Sequence, residues 1–251
     1  MNSSSKLNGK KILIDIVSLI ILLILVFLGY KFFSKDNKTS SDDTPTTSKS
    51  LVSTNDLLNP NINWSQLLSQ NKEIVGWIYI PNTDINYPIL CSKERDKYLR
   101  TDWKTGEETL GGSIFGDSRY YGQDIIDSTK YIIHGHNLGP LSTEMFSQLK
   151  EYLNEDFYNK HPNIYIYTPK GNIKYDVISI KIVDPMDGIY QKYDRDEHKD
   201  WINKQIKESN VKCTIHKYSL NKSILLSTCT NDEKNRIVII GEALEHSISK
   251  R

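Results

Sequence analysis

Residues 223–244 read SILLSTCTNDEKNRIVIIGEAL, an apolar run closing in Ser227-Thr228-Cys229, a polar loop, and Arg236 opening a second apolar run. Two such runs predict adjacent strands, with a cysteine at the open end of the first and an arginine at the start of the second. Neighbouring strands lie about 5 Å apart, so the two side chains can share one sheet edge. A thiol placed this way is held rigidly yet meets solvent, which is the setting of a reactive cysteine. Its base must come from elsewhere. Tyr131-Ile-Ile-His-Gly-His-Asn137 offers one: a buried strand running into a glycine-containing loop with His136, 93 residues (229 − 136) before Cys229. The two are expected to meet at neighbouring strand ends.

The rest of the chain from residue 54 repeats short apolar runs broken by turn residues. Ile74–Ile80 and Ile85–Leu90 flank Pro81-Asn82-Thr83-Asp84, Ser113–Phe115 is a short strand ending at Asp117, and Lys130–His134 is another strand. Asn163–Thr168 and Ile173–Val183 flank Pro169-Lys-Gly-Asn172 as a hairpin, and Val211, Cys213 and Ile215 alternate like a strand. Helical spacing is confined to three places: Asn63–Asn71, which presents Trp64, Leu67 and Leu68; Leu141–Leu153 behind Ser142 as N-cap; and Asp194–Ser209, where Trp201, Ile202 and Ile206 form one narrow stripe. About eight strands with almost nothing to serve as a βαβ crossover predict a closed, antiparallel-dominated barrel with helices laid against it.

The first 50 residues do not belong to that domain. Ile12–Leu28 is a 17-residue run interrupted only by Asp15 and Ser18, long enough with Gly29 and Tyr30 for a marginal bilayer span. Lys6, Lys10 and Lys11 precede it and favour a cytoplasmic N-terminus, and no small-residue cleavage site follows it. Residues 34–53, rich in Ser, Thr, Asp and Lys, cannot bury enough surface to order themselves. The expected organisation is a cytoplasmic tail and transmembrane anchor over 1–33, a flexible linker over 34–53, and an extracellular catalytic domain over 54–251. Five lysines against Asp15 give residues 1–35 a charge of +4; with +1 overall, the remainder carries −3, and no basic patch points to nucleic acid. Three cysteines cannot all pair, and no cysteine–histidine spacing suggests zinc, so neither a metal nor another cofactor is expected. Cys91 and Cys213 read as packing residues.

The chain resembles the class B sortases, membrane-anchored cysteine transpeptidases of Gram-positive bacteria, from about Asn63 to Leu244. The resemblance is carried by Ile74-Val-Gly-Trp-Ile-Tyr-Ile-Pro-Asn-Thr83 with Ile85-Asn-Tyr-Pro88, Gly112-Ser-Ile-Phe115 with Asp117, Gly135-His136-Asn137, and Leu226-Ser-Thr-Cys229 followed by Arg236-Ile-Val. It implies a mainly β fold: an eight-stranded barrel with an N-terminal helix and an extra surface helix, here Asp194–Ser209, before the cysteine strand. It implies Cys229 as nucleophile, His136 as acid and base, and Arg236 as stabiliser of the oxyanion. Ser227, Thr228, Tyr190 and Leu99 are expected along the substrate groove. His134 is expected there too, although the family usually has tyrosine at this position. Leu225 departs from the usual Thr-Leu-x-Thr-Cys signature, and Glu94-Arg95 stands where Asp-Asn is common.

The implied partners are surface proteins bearing a C-terminal sorting motif, cleaved after its threonine, a peptidoglycan precursor or cell-wall amine as acceptor, and the membrane. Three alternatives remain at this point: a secreted cysteine peptidase or amidase in which water finishes the reaction, a sortase that polymerises pilins, and a tethered binding module with an inert thiol. Papain-like enzymes place cysteine before histidine, the reverse of the order here.

Overall fold

The computed structural model describes residues 60–193, 195–214 and 221–250, with side chains to residue 243. The expected anchor and linker, and Ile215, lie outside the described residues. Among the described residues no helix is long and apolar enough to cross a membrane.

Eight strands close into a barrel: β1 (Ile74–Tyr79), β2 (Asn86–Leu90), β3 (Phe115–Gly116), β4 (Lys130–His134), β5 (Asn163–Thr168), β6 (Gly171–Val183), β7 (Ser223–Cys229) and β8 (Arg236–Lys250). Their order around the barrel is β1-β2-β3-β4-β7-β8-β6-β5, closed by the β1–β5 pair. Six pairings are antiparallel, while β2–β3 and β4–β7 are parallel. The parallel β4–β7 pair fixes the site, because both strands then run out at the same end of the barrel. Both are buried on two faces, which is why their sequences are nearly continuous apolar runs instead of alternating ones.

Helix α1 (Trp64–Gln70) is capped by the Asn63 side chain and buries Trp64. Helix α2 (Glu155–Lys160) was not expected; Asn154 caps it by accepting from the amides of Asp156 and Phe157. Helix α3 (His198–Lys207) is the predicted surface helix, and it buries Ile202 as its stripe requires. It also buries His198 and Gln205, so the helix docks through polar anchors as well: Ser179 Oγ donates to the Gln205 carbonyl at 2.7 Å, and His198 Nε2 meets Glu242 Oε1 at 2.8 Å.

Three expectations are corrected. The 141–153 helix is instead a 3-10 helix over Ser147–Leu153, and Leu141 is 98% exposed. The cause is local: Met145 has φ +52°, outside the helical region, and the Phe146 amide donates to the His136 carbonyl at 2.9 Å. The Ser142 hydroxyl accepts from Glu144 N at 3.1 Å and caps no helix. The β5–β6 turn is tighter than predicted, with Thr168 paired to Gly171 and only Pro169-Lys170 between them. Residues 211–214 are not a strand. Their apolar positions point at the main cluster from a loop held by Ser209, whose Oγ donates to the Val211 carbonyl at 2.7 Å.

Candidate active site

The β7–β8 hairpin places Cys229 directly opposite Arg236. The connecting loop is held shut: Thr230 N donates to the Asn235 carbonyl at 3.0 Å, and Thr230 Oγ1 accepts from Asn235 N at 3.2 Å. The Arg236 guanidinium folds back on this loop, with Nη1 donating to the carbonyls of Asn235 at 3.1 Å and Glu233 at 3.3 Å. Of the five donors on the fork, the three on Nε and Nη2 have no partner among the described residues.

His136 leaves the end of β4 next door. The Gly135 amide donates to the Ser227 carbonyl at 3.2 Å, which continues the β4–β7 ladder one residue past the strand. Glycine is needed here for space and not for an unusual φ, because a Cβ would collide with the Phe146 ring at 2.8 Å. His136 Nε2 lies 2.8 Å from the Leu99 carbonyl. A carbonyl can only accept, so Nε2 carries the proton and Nδ1 is the ring nitrogen left able to accept one. Cys229 is half-buried and free, and Cys91 and Cys213 are likewise unpaired thiols.

All eight residues expected at the site line one groove of about 370 Å³: Cys229, His136, Arg236, Ser227, Thr228, Tyr190, Leu99 and His134. Tyr190 Oη and Ser227 Oγ share a hydrogen bond of 2.9 Å, and the Tyr190 ring stacks on His134 with centroids 6.3 Å apart. Thr228 is 2% exposed, and its hydroxyl has no hydrogen-bond partner among the described residues. Glu94 and Arg95 lie on the groove rim.

Two further residues belong to the site. Asn137 Nδ2 donates to the Cys229 carbonyl and to Asn231 Oδ1, both at 3.0 Å, and so ties the histidine loop to the cysteine strand end. Its place directly after Gly135-His136 was the available signal. Asp117 takes a two-pronged pair from Arg119, Nε at 2.9 Å and Nη2 at 2.7 Å, and lies 3.8 Å from His134 Nε2. Burial raises the Asp117 carboxyl, but His134 and Arg119 outweigh it and hold the group well below the usual carboxylate range. His134, where tyrosine is usual, therefore lies against the Asp117–Arg119 ion pair in the groove lining. Among the described residues no group of histidine, cysteine or acidic side chains could hold a metal ion.

A closed barrel with a thiol, an imidazole and a guanidinium on adjoining strand ends has the make-up of a cysteine acyl-transferring enzyme. Residues 78–244 match the Sortase domain family. The chain is 31% identical to Sortase B of Listeria monocytogenes over 244 residues, 90% of this chain and 94% of that protein. The Staphylococcus aureus sortase B–substrate complex superposes with a TM-score of 0.64 at 27% identity, covering 73% of this chain and 85% of that one. A sortase B complexed with triglycine gives 0.64 and 27%, with 73% and 86% covered. The chain belongs to the sortase family, and its relatives make it a cysteine transpeptidase of class B.

Proposed function

We propose that this transpeptidase cleaves a C-terminal sorting motif after its threonine, holds the acyl fragment as a thioester on Cys229, and passes it to an amine of the cell wall. One observation supports the reading above others: Cys229, His136 and Arg236 line one groove, with Cys229 and Arg236 paired across the hairpin.

His136 takes the thiol proton, and Cys229 Sγ attacks the threonine carbonyl carbon. The carbonyl electron pair moves to oxygen, where the free Arg236 donors meet the new charge. Collapse breaks the C–N bond as imidazolium Nδ1 returns its proton to the leaving nitrogen. An incoming amine then attacks the thioester carbon and gives a proton to His136. The C–S bond breaks and the thiolate is regenerated. With Nε2 engaged by the Leu99 carbonyl at 2.8 Å, Nδ1 is the imidazole nitrogen that exchanges protons in this scheme. Ser227, Tyr190, Leu99, Thr228 and His134 form the wall and floor against which the peptide lies.

The substrate complex and the triglycine complex of relatives support a peptide donor and an amine-ended acceptor. The apolar run Ile12–Leu28 supports a single-pass anchor with a cytoplasmic N-terminus and the catalytic domain outside the cell. The test incubates the protein with a quenched sorting-motif peptide, with and without triglycine. Transfer predicts a ligated product that displaces the hydrolysed one as triglycine rises. A product that always ends in a free carboxyl would favour the peptidase alternative.

A further inference from the structure

Strand β4 ends at the histidine loop, and it begins with a buried cation. Lys130 is 5% exposed. Burying an ammonium is costly unless it is partnered, and among the described residues no carboxylate lies within ion-pair distance of it. Its Nζ donates instead to two backbone carbonyls, that of Ile189 at 3.0 Å and that of Gln191. It also lies over the faces of Tyr193 at 4.6 Å and Trp201, from α3, at 4.8 Å. Burial and the Arg119 guanidinium push this amine down to about 7, against the carbonyls and rings that favour its charged form.

The two carbonyls flank Tyr190. Gly188–Tyr190 is a single 3-10 turn, whose last carbonyls have no partner of their own within the turn. Lys130 holds the Ile189 carbonyl inside the turn and the Gln191 carbonyl just past it, and the Tyr190 hydroxyl reaches Ser227, two residues before Cys229 on the same face of β7. We propose that Lys130 is a positioning residue: by holding the 189–191 backbone it keeps Tyr190 across Ser227 and so sets the groove wall beside Cys229. The inference rests on the reading of this groove as the peptide site. It also gives α3 a task, because Trp201 closes one side of the lysine's cage.

The test is a cycle of Lys130→Met, which keeps the unbranched stem to within one atom but removes the donors, with Tyr190→Ala. Lys130→Met is expected to raise KM for the sorting peptide about tenfold with kcat little changed, since a displaced wall costs binding before chemistry. Added to Tyr190→Ala it is expected to cost nothing more, because the lysine acts through the tyrosine. Losses that multiply in the double variant, or a fall in kcat at constant KM, would overturn the proposal.

A second readout needs no substrate. Hydrogen exchange over residues 184–193 is expected to speed up selectively in Lys130→Met, and in Trp201→Phe should the first variant fold poorly. Unchanged exchange there would overturn the proposal even if the peptide reading stands. Failure of the wild-type protein to cleave any sorting peptide would instead overturn the functional reading and leave the exchange result to decide.

Discussion

Cys229 and Arg236 are direct cross-strand partners at the loop end of the β7–β8 hairpin, and Arg236 Nη1 is committed to two carbonyls of the loop between them. The guanidinium is thus oriented by the same loop that fixes the thiol. Arg236→Lys keeps the charge but cannot both hold the loop and present a fork. Acylation is expected to fall about 10²-fold, with the thermal midpoint nearly unchanged. Unfolding of the variant, with full rate in the fraction that stays folded, would make the arginine structural.

The Asp117 carboxyl, held by Arg119, makes a pH-dependent contribution of definite sign. The Asp117 carboxyl is depressed in the folded state, so its stabilisation is fully present above the ordinary carboxylate value and is lost as pH falls below it. Asp117→Asn should therefore destabilise the domain at pH 7, with a deficit that shrinks below about pH 4. Denaturant midpoints at the two pH values check this. A deficit independent of pH would show that packing, not charge, is what Asp117 supplies.

His134→Tyr installs the residue usual in the family and leaves His136 in place. Cleavage is expected to persist, whereas His136→Ala should be nearly inactive. A His134→Tyr variant as dead as His136→Ala would exchange the roles of the two histidines.

The two remaining thiols are packing groups with raised pKa values. Burial pushes the Cys91 thiol up and the Cys213 thiol up to about 11. In the native protein near pH 7 both should alkylate more slowly than the half-buried Cys229. Replacing either with alanine should cost about 1 kcal/mol and leave peptide cleavage intact. Peptide mapping after brief iodoacetamide treatment reads the first expectation, and denaturant titration the second.

Much of this site was legible because it sits on strand ends with strong apolar patterns. The run Ser223–Cys229 and the run Tyr131–His134 each declare a buried strand, and their chemistry-bearing residues follow at the exits. What could not be read depends on contacts far apart in the chain. Lys130 reaches the Ile189 carbonyl across 59 residues, and Asn137 reaches Cys229 across 92. The 141–153 stretch has helical spacing, but its first part is claimed by the Phe146–His136 bond and the left-handed Met145, a tertiary demand that periodicity does not show. Helix α2 was missed because its six residues are shorter than the window over which periodicity accumulates.

Acylation of Cys229 is measured directly by intact-mass spectrometry of the protein mixed with a sorting-motif peptide, without acceptor amine. An adduct equal to the peptide fragment ending in threonine is expected, released by hydroxylamine, present in Cys91→Ala and Cys213→Ala, nearly absent in His136→Ala and absent in Cys229→Ala. An acyl adduct that persists in Cys229→Ala would contradict it.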